Sequence, residues 1–558
     1  MKKYLLIITS VLIFAKLSAQ TFTEILGRPT DVSITASILF NSQVDNYIEY
    51  GVLSGNYTAT TPVVTSVVGQ PVVTKIIGLI NETRYYYRTR YRKTGSGIYL
   101  AGTEHHFITQ RKKGSPFVFT IEADPHPYDP KGYHPLWDIC LQNQLNDGAD
   151  FMFDLGDTFG DDHLVTSGNP YTTTQIQQLM LDNRPHFGLV CHSMPFFFCE
   201  GNHEGESGYY LLQTPPNNIA VYETLWRKTY YPNPEPDGFY SGNNDVEGFG
   251  MNKPENYYAF QWGDALFVVI DAWRYYTANN KPRNWDWTIG KTQYDWLKQT
   301  LESSTAKYKF VFCHHVMGET RGGVLIAKTF EWGGLDNGTN KFAANRPGWA
   351  MPIHQLMVAN HVNVYFQGHD HLYAYESMDN LVYQTVPMPA DSSYSLGYIA
   401  NAGAFTGTVL KGSGHIRVTV NPDSVKVDYV SSRLAKDESD TLKNSQVMYS
   451  YSVKAKTISA VNNLSLTSAT ELNVFPNPAS DYLNISFSQP VEKRFTVTIH
   501  ALDGRLLKQI SVNQSFDSGQ TIALKLIDSN GNHFCRGAYV ATVNLGNEQT
   551  FYKLFLVE

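Results

Sequence analysis

Cysteine is scarce: the 558 residues hold five, Cys140, Cys191, Cys199, Cys313 and Cys535. None are spaced as paired zinc ligands, and an odd number argues against a fully disulfide-bonded framework. Three lie in or beside predicted core strands and read as buried thiols. Basic runs are also missing, and the net charge is −7. No nucleic acid or anionic membrane is therefore expected as a partner. No internal repeat is visible. Long apolar runs are absent with one exception, Tyr4–Ala15, which follows Lys2 and Lys3 and precedes small residues at Ser18-Ala19. It is short for a membrane anchor and is followed by Lys16. A secretory signal peptide is expected over 1–20, cut near Ala19 or Gln20, leaving a mature chain without a transmembrane segment.

The remaining length calls for several domains. Over 21–112 the pattern is all-β. Val32, Ile34, Ala36 and Ile38 alternate with Ser33, Thr35 and Ser37, as in a half-buried strand. Tyr47–Tyr50, Val63–Val68, Arg84–Arg92 and Glu104–Thr109 are further strand candidates, and this spacing suggests a β-sandwich. Over 113–435 helical and strand signals alternate, which indicates βαβ units and an α/β fold. Pro135 suits a first helical position before Leu136, Ile139, Cys140 and Leu145, and Gln293, Trp296, Leu297, Thr300 and Leu301 keep helical spacing. The stretch 205–260 is rich in tyrosine and proline and lacks clear periodicity; it reads as a long loop walling a cleft. A polar linker is expected over 436–468, followed by another β-sandwich over 469–558.

Five motifs dominate the 113–435 region: Asp124-Pro125-His126, Gly156-Asp157, Gly201-Asn202-His203-Glu204, His314-His315 and Gly368-His369-Asp370-His371. Each follows an aromatic and branched apolar run of the kind that forms buried strands: Phe117–Ile121, Asp150–Leu155, Pro195–Cys199, Lys309–Cys313 and Val362–Phe366. Ligands in open α/β sheets gather beyond the carboxyl ends of the strands, so the five motifs describe one site.

This ordered series resembles the calcineurin-like metallophosphoesterase superfamily over roughly residues 115–435. The resemblance implies a four-layer α/β/β/α sandwich flanked by the two β-sandwich domains. It implies Asp157 as a bridge between two metals, with Asp124, His126 and His371 on the first and Asn202, His314 and His369 on the second. A mixed imidazole and carboxylate set suits iron, zinc or manganese, as two divalent ions or a mixed pair. In such enzymes hydroxide generated at a metal pair about 3.5–4 Å apart attacks phosphorus in line. Two divalent ions, two carboxylates and one hydroxide leave about one positive charge, attractive to a phosphomonoester dianion. His203, beside Asn202 in the catalytic motif, is the candidate to protonate the leaving oxygen or stabilise charge; its alternative is packing. Arg321 is a candidate phosphate fork or a surface arginine, and His315 faces either substrate or core. Asp161 and Asp162 are either partners of the ligand histidines or solvated loop carboxylates.

Ile48-Glu49-Tyr50-Gly51 and Thr83–Arg88 resemble the fibronectin type III-like domain found ahead of purple acid phosphatase-type catalytic domains. Those enzymes hold ferric iron through a tyrosine three residues after the bridging aspartate. That position here is Gly160, so no purple colour is expected. The segments Leu472–Ile485, Thr496–Leu507 and Gly537–Val540 resemble the type A sorting domain of the type IX secretion system. It implies contact with that machinery and a location secreted from, or attached outside, the outer membrane. The expected function is a secreted bimetal-dependent phosphomonoesterase of small phosphate esters, acid or alkaline phosphatase-like. The alternatives are a phosphodiesterase or nucleotide pyrophosphatase at the same site, and, from another class, a surface binding protein with a silent catalytic domain.

Overall fold

The computed structural model describes residues 22–455 except 129–131, 161–171, 212–217, 276–281, 317–319 and 397–401, and 472–558 except 489–494, 502–504, 514, 516, 518–519, 529–530 and 546–549. The expected signal peptide and Asp161 and Asp162 lie outside the described residues. The chain forms two compact units, Met1–Lys456 and Thr457–Glu558.

Two large sheets make the centre of the first unit. In one, Phe196–Phe198, Phe151–Asp154 and Phe117–Glu122 run parallel and are continued antiparallel by Gly414–Val420, Ser424–Ser431 and Val447–Lys454. In the other, Ala265–Val269, Tyr308–Phe312, Val364–Gln367 and Leu381–Thr385 run parallel, with antiparallel strands at both edges. Period-two alternation sorts their side chains into two cores. Phe119, Phe153, Phe197, Phe267, Phe310, Phe312 and Phe366 point between the sheets, where Phe153 stacks on Phe312 at 4.1 Å between ring centroids. The intervening Met152, Phe196, Val268, Val311 and Tyr365 point outward into the second core, beneath helices His134–Asn146, Thr173–Gly188 and Lys291–Ser303. Helix, sheet, sheet and helix are thus the four layers expected. Both faces of these strands are buried, which is why they read as apolar runs.

The stretch 205–260 departs from the expected loop. It holds the helix Ile219–Tyr230, capped by Asn218 through its side chain, and the strand Tyr258–Trp262. The helix buries Glu223, Thr224 and Arg227 among Ile219, Ala220, Val221 and Tyr230, so polar positions interrupt the apolar periodicity that would reveal it. The start of the expected linker also departs. Val447–Lys454 is hydrogen-bonded along Ser424–Ser431, so a strand of the sheet occupies 447–454 of the expected linker.

Residues 22–108 form two facing sheets around Leu26, Ile34, Ile38, Ile48, Tyr87 and Phe107. The Ser33–Phe40 strand was expected to be half-buried, but it is buried on both faces except at Leu39. Its serine face meets the α/β region: Ser37 Oγ donates to Tyr230 O, and Arg184 Nη2 donates to Ser37 O. On the Arg84–Lys93 strand the arginines pair with Glu49 and Asp45 while Tyr87 Oη reaches His192 O at 2.7 Å. The Thr457–Glu558 unit is a separate sandwich of three- and four-stranded antiparallel sheets around Leu483, Ile485, Val497, Ile499, Ala541 and Phe555.

Candidate metal centre

The five motif loops leave their strands at one end and converge. Asp124, His126, Asp157 and His371 present ligand atoms within 4.8 Å of one another, and so do Asp157, His314 and His369. Asp157 belongs to both groups. Its Oδ2 lies 3.1 Å from His314 Nε2 and 3.5 Å from His126 Nε2, while Asp124 Oδ1 lies 3.6 Å from His371 Nε2. Asn202 is the neighbour of His203, whose amide donates to Asp157 Oδ1 at 2.9 Å. All these residues are nearly or wholly buried.

Local geometry is unusual at the donors. Asp124, His126, Asp157, His369 and His371 all have positive φ, between 41° and 69°. Such conformations cost about 1–3 kcal/mol each and persist where the surroundings over-determine them. The motif glycines permit the crowding. A Cβ on Gly201 would lie 2.3 Å from Asp157 Oδ1, and one on Gly368 would lie 2.6 Å from Asp124 Oδ2.

The donor set fits divalent metal. Asp124 Oδ1, Asn202 Oδ1 and His369 Nε2 are buried yet make no hydrogen bond among the described residues, an arrangement that is costly without a ligand. Burial pushes the Asp124 carboxyl up to about 8, and the neighbouring Asp157 adds to the rise; a bound cation would return it to the carboxylate. Burial holds His369 and His371 well below the usual imidazole range, so their lone pairs are available at neutral pH. His314 Nδ1 donates to Leu155 O at 2.7 Å, which leaves Nε2 directed at Asp157.

Glu204 carries a role the motif did not reveal. Its Oε2 accepts from the amides of Asp157 at 3.1 Å and Gly201 at 2.6 Å, and its Oε1 from Thr158 at 2.8 Å and Phe159 at 3.2 Å. One carboxylate thus ties two ligand loops together. The signal available in sequence was only its place in Gly201–Glu204. Asp370 similarly accepts from Gly322 N at 3.0 Å.

The other candidates separate. His203 Nε2 lies 3.9 Å from Asp157 Oδ2, and its ring meets that of His126 edge-on at 5.0 Å, so it stands at the site. Arg321 is part-buried beside the site, with Nη1 donating to His369 O and lying 3.8 Å from Asp370 Oδ1. His315 is fully buried behind His369, with rings 4.6 Å apart and Nε2 3.9 Å from Asp370 Oδ2. Gly160 is packed on the His203 carbonyl: a Cβ there would come within 1.6 Å of the oxygen. The close approach excludes tyrosine at this position.

Residues 117–373 match the calcineurin-like phosphoesterase family, and residues 473–557 match the secretion system C-terminal sorting domain. The fold is similar to that of purple acid phosphatase PPD1 from yellow lupin (Lupinus luteus), at 15% identity and TM-score 0.51, covering 78% of this chain and 74% of that one. It is also similar to PhoD, at 14% identity and TM-score 0.54, covering 78% and 90%. No curated protein matches the chain significantly. Fold and site together define a metal-dependent phosphoester hydrolase. More particularly, the chain carries a calcineurin-like phosphoesterase domain, with a type IX secretion sorting domain at its C-terminal end.

Proposed function

We propose that this protein is an exported phosphomonoesterase that uses a pair of metal ions held by Asp124, His126, Asp157, Asn202, His314, His369 and His371. The observation that carries the reading is the place of Asp157 in both ligand groups. Asp124, His126 and His371 hold the first ion with Asp157; Asn202, His314 and His369 hold the second. The pair, when bound, supplies positive charge for the phosphoryl oxygens and an activated water. Two divalent ions against the carboxylates of Asp124 and Asp157 leave a positive site, which favours a monoester dianion over a diester monoanion.

His203 stands beside the bridging carboxylate, where its imidazole protonates the leaving oxygen. Arg321 steadies a phosphoryl oxygen from the rim, and Glu204 keeps the backbone of the two ligand loops in place. The sorting domain directs export, and the break between compact units after Lys456 supports an enzyme that works without it. The ordering test is a hydrolysis panel of phosphomonoesters, phosphodiesters and nucleotides on the purified protein, with metal analysis on the same sample. Monoesters turning over fastest, with two ions per chain, is the expected result. Preferential diester cleavage would replace the monoesterase reading, and absence of metal would end the two-ion reading.

A further inference from the structure

His126 is a donor whose backbone is in the left-handed region, at φ 41°. Asp124, Asp157 and His369 share its left-handed backbone, and each has its amide tied inside the site: Asp124 N to Gly156 O at 3.0 Å, Asp157 N to Glu204 at 3.1 Å and His369 N to Asp124 Oδ2 at 2.8 Å. The His126 amide donates to Asp157 O at 3.3 Å. Further contacts reach its backbone from outside the motif. Gly132 packs so closely that a Cβ on it would lie 1.9 Å from His126 O. The next carbonyl along, Pro127 O, accepts from His134 Nε2 at 2.9 Å.

His134 does not stand alone. Its Nδ1 lies 2.9 Å from His186 Nε2, and His186 Nδ1 lies 2.5 Å from Asp138 Oδ1. The His186 ring is stacked on Trp137, at 4.8 Å between centroids. Proton counting constrains this chain of contacts. A carbonyl oxygen only accepts, so His134 Nε2 carries hydrogen. The Asp138 carboxylate only accepts, so His186 Nδ1 carries hydrogen. The contact between the rings needs one more. The two rings and Asp138 therefore form one continuous hydrogen-bonded chain that ends on the Pro127 carbonyl. Two helices contribute: His134 and Asp138 lie on His134–Asn146, and His186 lies in the last turn of Thr173–Gly188.

We propose that Asp138, His186 and His134 are positioning residues: a hydrogen-bonded relay that grips the Pro127 carbonyl and so sets the aim of His126 as a metal donor. The inference rests on the two-ion reading above. None of the three touches the reacting atoms; they act through the backbone. Such outer partners of metal ligands alter affinity by about 10–100-fold when lost.

The test uses the full chain, stripped with chelator and titrated with Zn²⁺ against a chromogenic competitor. His134→Phe and His186→Phe are each expected to weaken one of two zinc ions by about 10–100-fold while the other keeps its wild-type affinity. Asp138 is 39% exposed at its side chain, so Asp138→Asn tests the carboxylate contact with little risk to folding; it keeps an acceptor for His186 and is expected to give a smaller loss at the same ion. Melting of the metal-free protein separates aim from bulk stability. Equal weakening of both ions with a lowered melting temperature would reduce the relay to ordinary packing and overturn the proposal, as would unchanged affinity at both ions. If the wild type itself binds no zinc pair, the two-ion reading fails instead. A wild type with two ions and variants identical to it would sink the relay alone.

Discussion

Replacing Glu204 by glutamine probes how much the site depends on one buried carboxylate. Four amides converge on it, two on each oxygen: Asp157 and Gly201 on Oε2, Thr158 and Phe159 on Oε1. Glutamine keeps one acceptor oxygen and turns the other into a donor. Whichever way the amide is placed, two backbone N–H groups lose their partner and face an N–H instead. Bonds to a charged acceptor are worth about 1.5–3 kcal/mol each, so two lost bonds amount to roughly 3–6 kcal/mol. That is a large share of a typical domain's stability of about 5–15 kcal/mol. The variant is expected to fold, with a clearly lower guanidinium midpoint. It should also lose kcat on the order of 10²-fold, because the freed loops carry Asp157 and Asn202 and small misplacements are costly. The assay is denaturation of the metal-free protein beside steady-state kinetics of the reconstituted enzyme. A variant with wild-type midpoint and wild-type kcat would refute the reasoning, since it would show the loops hold their geometry without the carboxylate.

Four other outcomes are expected. Asp157→Ala removes the group common to both donor clusters, so metal analysis should find the pair lost and turnover abolished; two ions retained at full occupancy would contradict the bridge. His203→Ala should keep both ions and lower kcat by about 10²–10⁴-fold on alkyl phosphates, with a smaller loss on activated aryl phosphates; equal losses would assign His203 to charge stabilisation instead. Iron-loaded protein should show no purple tyrosinate band, because Gly160 leaves no room for a side chain; a strong visible band would mean another tyrosine reaches the metal. Glu24 is buried, and burial raises its carboxyl from 4.5 to about 7 although Thr89 donates to it. Its folded value is above the unfolded one, so its contribution is fully present below pH 4.5 and is lost as pH rises through about 7. Glu24→Gln removes that dependence, and its stability relative to wild type should gain roughly 3 kcal/mol between about pH 4 and pH 8; a pH-independent difference would exclude the shift.

What was legible in the sequence followed from burial. Strands covered on both faces become apolar runs, so Phe151–Asp154 or Tyr308–Phe312 could be found at once, and a polar residue just past such a run stands out as a donor. The helix Ile219–Tyr230 escaped because its hidden face mixes Glu223, Thr224 and Arg227 with Ile219, Ala220, Val221 and Tyr230, with Arg227 paired to Glu200 and Glu206. The Ser33–Phe40 strand looked half-solvated because its second buried face is made of serine and threonine, satisfied by Tyr230 and Arg184 from far along the chain.

By itself the sequence determined the donor types, their order and their attachment to strand ends, because side-chain chemistry and the strand period are local properties. It could not decide which donors share Asp157, that His315 lies behind His369 while His203 stands beside the bridge, or that Glu204 binds two loops together. Those relations join residues on different strands and loops. They exist only once parallel pairing and the packing of the two sheets have brought the strand ends to one place, and distance in space, which sets both hydrogen bonding and electrostatics, carries no trace in the linear chain.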